Sequence, residues 1–259
     1  MNAALPSSSR VLSGGRNLYG FAIGILMIEG RFPRPPGAIG NATTFPFPVM
    51  HHVVRGASGV RTVREISKLD PDSQAFAAAI RTWTDGAKFL ADQGCRAITT
   101  SCGFAVLFQR HLAAAVDVPV FASSLMLVPL IARMLKPGRR VGVVTADADY
   151  LSSAHLAAAG IDPHSIAVAG MSGCPEFEAT AWGEQTTLDF AQMEAETVGV
   201  TRQLVARDPA VGAILLECSL LPPYGAAVQE ATQLPVFDFT NLVTMVNGAC
   251  ARQPFVGIT

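Results

Sequence analysis

Short, near-continuous apolar runs alternate along the chain with longer stretches in which apolar residues recur every three to four positions. The runs predict strands at Gly20–Ile28, Arg96–Ser101, Val118–Ala122, Arg139–Thr145, Ile166–Gly170, Val211–Glu217 and Leu234–Asp238. Runs without a polar alternate suit parallel strands covered on both faces. The longer stretches predict helices at Asp72–Gln93, Phe104–Ala115, Ser124–Leu135, Tyr150–Ala158, Leu188–Arg207, Pro223–Thr232 and Asn241–Cys250. Because a parallel pair needs a crossover, usually a helix, this order gives an α/β class. Lys136-Pro137-Gly138 and Gly173-Cys174-Pro175 mark breaks. From Glu29 to about Leu69 the chain reads as one long loop, stiffened by Pro33, Pro35, Pro36, Pro46 and Pro48. Long loops in compact domains are often functional.

One repeat stands out. Ala97-Ile98-Thr99-Thr100-Ser101-Cys102 matches Ala213-Ile214-Leu215-Leu216-Glu217-Cys218, and Pro119-Val120-Phe121 and Pro235-Val236-Phe237 follow in the same ungapped register. The copies lie 116 residues apart, so they indicate two similar halves rather than a solenoid. Residues 17–123 with 236–259 are expected to form one lobe and residues 124–235 the other, after a loose leader over residues 1–16.

Composition narrows the function. Half of the 259 residues are apolar and only 15% are charged, which excludes disorder. Net charge is −1 and no basic run exceeds two residues, so neither nucleic acid nor a membrane surface is an expected partner. Phe21–Ile28 is too short to span a bilayer and ends at Glu29 and Arg31 without a cleavage signal, so a buried strand and a cytoplasmic protein are expected. The five cysteines form no dense framework and read as reduced thiols. No Cys-x-x-Cys or spaced His pair suggests zinc. His51 and His52 are adjacent, and on an extended chain they point to opposite sides. His111 and His164 read as surface residues, and none of Lys68, Lys88 and Lys136 sits at a strand end as a Schiff-base lysine. No cofactor and no metal are expected.

The matched cysteines carry the chemistry. In open parallel sheets ligands bind beyond the carboxyl ends of the strands. Cys102 and Cys218 sit there, each expected to precede a helix whose N-terminus would favour a thiolate. Two similar acids facing each other suit inversion of a carbon: one removes a proton and the other returns one from the opposite face. Backbone N–H groups at the helix starts would stabilise the carbanion. Cys95, Cys174 and Cys250 lack repeat partners and read as packing.

On the first strand, ITTSCGF, RVGVVTAD and AILLECSLLPPY, the chain resembles the aspartate/glutamate racemase superfamily over about Gly20 to Gly248. The resemblance implies two pseudo-symmetric α/β lobes, each a parallel sheet flanked by helices, with the active site in the interlobe cleft, and a homodimer. It implies a two-base racemase or epimerase acting without pyridoxal phosphate beside a carboxylate or amide of an amino acid or derivative. Hydantoin-type racemases, decarboxylases and cis–trans isomerases of small diacids are alternatives, and a non-catalytic small-molecule binding protein is a third class. Where the family's amino-acid racemases follow the cysteines with Asn-Thr and Thr-His or Thr-Glu, this chain has Gly103-Phe104 and Ser219-Leu220, which indicates a less polar pocket. Glu29, Asn41, Thr43, Ser101, Gly103, Phe104, Ser124, Thr145 and Ser219 are the candidate substrate contacts, Glu29 for a substrate amino group. Thr44 and Ser123 are further polar candidates, and Arg31 and Arg34 are candidate carboxylate clamps.

Overall fold

A computed structural model describes residues 14–255. Most of the expected leader, residues 1–13, lies outside them, as do residues 256–259. Eight strands and nine α-helices occur among the described residues. The first half holds β1 (Ile23–Ile28), β2 (Val49–Val54), α1 (Gln74–Ala79), α2 (Arg81–Asp92), β3 (Ala97–Thr100), α3 (Gln109–Ala115) and β4 (Val120–Phe121). The rest holds α4 (Val128–Met134), β5 (Arg140–Thr145), α5 (Ser153–Ala158), β6 (Ile166–Gly170), α6 (Pro175–Ala181), α7 (Phe190–Arg207), β7 (Val211–Leu216), α8 (Gly225–Thr232), β8 (Val236–Phe237) and α9 (Phe239–Cys250).

The strands form two parallel four-stranded sheets, ordered β2-β1-β3-β4 and β6-β5-β7-β8. The two orders are the same once β5–β8 are equated with β1–β4. Every residue of β1 is buried, because both faces of the strand are covered. Ile23, Ile25 and Met27 share one apolar cluster with Val141 and Val143 of β5, Ala213 and Leu215 of β7, and Phe239, Leu242 and Val243 of α9. On the opposite faces, Leu26 and Ile28 join Trp83, Ala87 and Leu90 of α2, while Val144 and Leu216 join Met193 and Leu204 of α7. Trp83, Ala87 and Leu90 recur at helical spacing, as an amphipathic helix requires. Each sheet brings its helix in close through a glycine: a Cβ on Gly24 would lie 3.0 Å from Leu90, and one on Gly142 would lie 3.2 Å from Leu204.

The expected lobe boundaries fall between intertwined elements. Beyond residue 235, β8 hydrogen-bonds to β7 in the second sheet, whereas the next helix, α9, packs against β3 of the first. Reciprocally, α4 follows β4 and packs against β5.

Three sequence expectations are corrected. The long loop after β1 contains β2, an edge strand pairing with β1 from Ile23↔Val49 to Ile28↔Val54. His51 and His52 therefore lie in a strand: the His51 ring meets the Ile39 carbonyl at 2.9 Å, and the His52 ring packs at a tilt against Phe89. The helix expected over Asp72–Gln93 breaks at Ile80, whose ψ of 6° leaves the helical range. The break expected at Gly173-Cys174-Pro175 is present, and a helix absent from the expected set, α6, begins there with Pro175 in its first turn, where a missing N–H costs nothing. No helix among the described residues is long and apolar enough to cross a membrane.

Candidate active site

Strands β3 and β7 end side by side in sequence-equivalent positions, and the residues that follow each line one narrow pocket. From the first copy come Ser101, Cys102, Gly103 and Phe104, and from the second Glu217, Cys218, Ser219 and Leu220. Ile28 from β1 and Phe32, Val63, Ala146 and Trp182 complete most of the apolar lining. Val63 belongs to a π-helical turn, Arg61–Glu65, and Trp182 caps α6. The sheet ends are tied together by exchanged hydrogen bonds. Ser219 Oγ donates to the Ser101 carbonyl at 2.6 Å, and Ser124 Oγ donates to the Glu217 carbonyl at 3.3 Å. Thr100 Oγ1 donates to the Ala122 carbonyl at 2.7 Å and accepts from the Cys102 N–H at 3.2 Å, which fixes the backbone at the first thiol.

Neither thiol is poised as expected. A six-residue 3₁₀ turn, Gly103–Phe108, follows Cys102, and α8 begins only at Gly225, beyond a second short turn at Pro222–Tyr224. No α-helix N-terminus therefore abuts either sulfur. Burial pushes the Cys102 thiol up to about 12, with the nearby Glu217 adding to the effect; the N–H groups of Phe104 and Ala105 partly oppose it. Cys218 is raised too, by burial first and then by Glu217, against the Leu220 N–H. In an apolar enclosure the loss of hydration outweighs a few peptide dipoles.

Glu217 is the residue that sequence reasoning missed. It is fully buried, and Thr145 Oγ1 donates to its Oε2 at 2.8 Å. Its Oε1 has no hydrogen-bond partner. Burial raises its carboxyl to about 7, with the Thr145 hydroxyl and the Ala146 N–H pulling the other way. Gly103 makes the room: a Cβ there would lie 1.7 Å from Glu217 Oε1. The available signal was an acid inside the apolar run Ala213-Ile214-Leu215-Leu216-Glu217, standing where the first copy has Ser101.

Other candidates fall elsewhere. Thr145 and Ser124 do not themselves line the pocket but bond to Glu217, which does. Glu29 is half-buried, pairs with Arg55 at 3.1 Å and accepts the Gly56 N–H at 2.8 Å, which holds its carboxyl below the usual range. Together with Arg31 and Arg34 it lines a separate surface hollow. Arg34 is turned onto the Phe32 ring, 4.2 Å away. Asn41 Nδ2 donates to the Arg34 carbonyl while its Oδ1 accepts from the Thr43 N–H and hydroxyl, so both residues close a local turn. Thr44 Oγ1 donates to the Ala38 carbonyl at 2.6 Å, and Ser123 Oγ caps its own turn at Leu125 N. Among the described residues no three His, Cys, Asp or Glu side chains gather as a metal site.

Known proteins resemble the chain to different depths. The chain is 30% identical over 247 residues to dimethylsulfoniopropionate lyase 7 of Emiliania huxleyi, covering 92% of this chain and 69% of that one. To a dimethylsulfoniopropionate lyase of Durusdinium sp. clade D it is 29% identical over 229 residues, 86% of this chain and 72% of the other. Glutamate racemase isoform RacE1 from Bacillus anthracis superposes with a TM-score of 0.55 at 13% identity, over 89% of this chain and 83% of that one, which is a likeness of fold. The family model described as Asp/Glu/Hydantoin racemase matches residues 50–245, a span that holds Cys102, Cys218, strands β3 to β8 and all but the first residue of β2. With two matched parallel sheets ending at one pocket, the chain belongs to the Asp/Glu/hydantoin racemase family.

Proposed function

We propose that this protein is a carbon-acid lyase in which a thiolate removes the proton α to a carboxylate and the β substituent leaves. The observation that carries the reading is the pair Cys102 and Cys218, at equivalent strand ends and lining one apolar pocket. The relatives named dimethylsulfoniopropionate lyase support elimination as the outcome. On that substrate the thiolate sulfur takes the α-proton and becomes a thiol. The C–H electron pair forms the α,β double bond. The Cβ–S bond breaks with its electrons on sulfur, releasing neutral dimethyl sulfide and a propenoate. The peptide N–H groups that open the turns at Gly103 and Ser219 are the donors for charge developing on the carboxylate. The apolar surroundings exclude water and strengthen those interactions.

Racemisation is the second reading, and the presence of two matched thiols favours it, because inversion needs an acid on each face of the carbon. Elimination needs one base. One experiment separates the two: the protein is given dimethylsulfoniopropionate and a panel of amino acids and hydantoins in deuterated water. Headspace dimethyl sulfide and loss of the α-proton NMR signal are followed in parallel. Release of dimethyl sulfide, reduced at least 100-fold in one or both of Cys102→Ser and Cys218→Ser, is the expected result. Solvent exchange of an amino-acid α-proton without release, lost equally in both variants, would establish the racemase instead. Neither signal from the folded protein would overturn both readings.

A further inference from the structure

Four buried side-chain polar atoms among the described residues lack a hydrogen-bond partner, and two of them belong to residues that line the thiol pocket: Glu217 Oε1, an acceptor, and Trp182 Nε1, a donor. A native interior leaves few such atoms, and each calls for an explanation. The pocket is otherwise short of polar partners. Among the described residues no lysine, arginine or histidine lines it, and its walls include Ile28, Phe32, Phe104 and Leu220. The unpaired carboxylate oxygen is a built feature: Thr145 holds its sister oxygen, and Gly103 lacks the atom that would exclude it.

We propose that Glu217 recognises a cationic onium centre on the substrate, with the Trp182 indole N–H receiving the substrate carboxylate, so that the pocket selects small zwitterions bearing a sulfonium on the carbon β to a carboxylate. This rests on the lyase reading above and assigns its selectivity to residues. A dicarboxylate would bring a second negative charge against Glu217 with no cation in the lining to offset it. An ammonium carries three N–H donors and loses stability when they are buried unmet. The pocket offers it one free acceptor. A sulfonium has no N–H or O–H to donate and asks for no such partner. It is drawn to a carboxylate by charge alone and to aromatic carbon through the ring quadrupole. Its arrival also changes the thiols. Glu217 presses both of them toward the protonated form, and a cation seated against it offsets that pressure. The ligand thereby lifts the smaller of the two influences that keep the proton on Cys102, burial being the larger.

Isothermal titration on protein carrying Cys102→Ser and Cys218→Ser, which removes turnover, tests the assignment with two probes of one shape. These are dimethylsulfoniopropionate and 4-methylpentanoate, in which a neutral CH replaces the sulfonium sulfur. The expected result is at least a ten-fold preference for the sulfonium, reduced to near parity by adding Glu217→Gln. Trp182→Phe is expected to weaken both probes together. Should Glu217→Gln fail to fold, Thr145→Val frees the carboxylate from its tether and is expected to cut the same preference. An equal loss of both probes in Glu217→Gln, an unchanged preference, or binding of neither probe would overturn the proposal. Dimethyl sulfide release by the unmodified enzyme, measured separately, keeps the two claims apart. Release with no role for Glu217 sinks only this inference, and onium selectivity without release sinks only the lyase reading.

Discussion

Glu217 makes folding sensitive to pH in a direction opposite to that of most carboxylates. Its carboxyl lies at about 7 in the fold against an ordinary 4.5, so the folded state holds the proton more tightly than the unfolded one. The associated stability is fully present below pH 4.5 and is lost as pH rises through 7, amounting to roughly 3 kcal/mol. Denaturant titrations at pH 5 and pH 8 are expected to show this loss in the native sequence and a smaller one in Glu217→Gln. Gly103→Ala puts a methyl where Glu217 Oε1 sits, so the carboxylate must swing away. Overpacking of this kind costs about 1–3 kcal/mol, and turnover is expected to fall further than melting temperature does. The cysteines were legible in the sequence because they repeat with their neighbours, whereas Glu217 was not, because it breaks the repeat. Its meaning depends on Gly103, which is distant in sequence and unremarkable as a glycine. Glu29, Asn41 and Thr43 lie away from the thiol pocket for a related reason: polar residues near a strand end satisfy one another locally as readily as they face a ligand.

The elements show the same division between what a pattern reveals and what only packing decides. Strands buried on both faces, such as β1 and β7, announce themselves as apolar runs. β2 lies at the sheet edge, carries two histidines and follows a proline-rich stretch, so its alternation is faint. Helix α5 depends on a buried histidine. The His155 Nδ1 accepts the Ser152 N–H at 3.2 Å and closes a capping box, and burial lowers the ring to about 4. Protonation would place a donor where an acceptor is needed. The stability from keeping this ring neutral is complete above about pH 6.5 and is lost as pH falls through 4, again by roughly 3 kcal/mol. Hydrogen exchange of α5 at pH 4 and pH 7 is expected to show early opening at the acid end, and His155→Gln is expected to remove most of the difference.

At the scale of the molecule, the α/β class and the matching of two halves were readable, while the strand order, with β2 at its edge, and the exchange of helices were not. No periodicity reports that α4 leaves one sheet to cover the other or that α9 returns. Because one apolar cluster joins β1, β5, β7 and α9, the halves are expected to melt together. Calorimetry should give a single transition with equal calorimetric and van't Hoff enthalpies, and two resolved peaks would show that each half is stable alone.

The fit of Glu217 into the space left by Gly103 carries a historical implication. Had this pocket been assembled from two identical subunits about a twofold axis, every position would have occurred twice. An acid at the Glu217 position would also have stood at that of Ser101, and a glycine at the Gly103 position would also have replaced Ser219. Joining both copies in one polypeptide removes that constraint. Fusion lets one cavity keep two like thiols while its remaining walls diverge, so that an asymmetric ligand has only one way to lie between them.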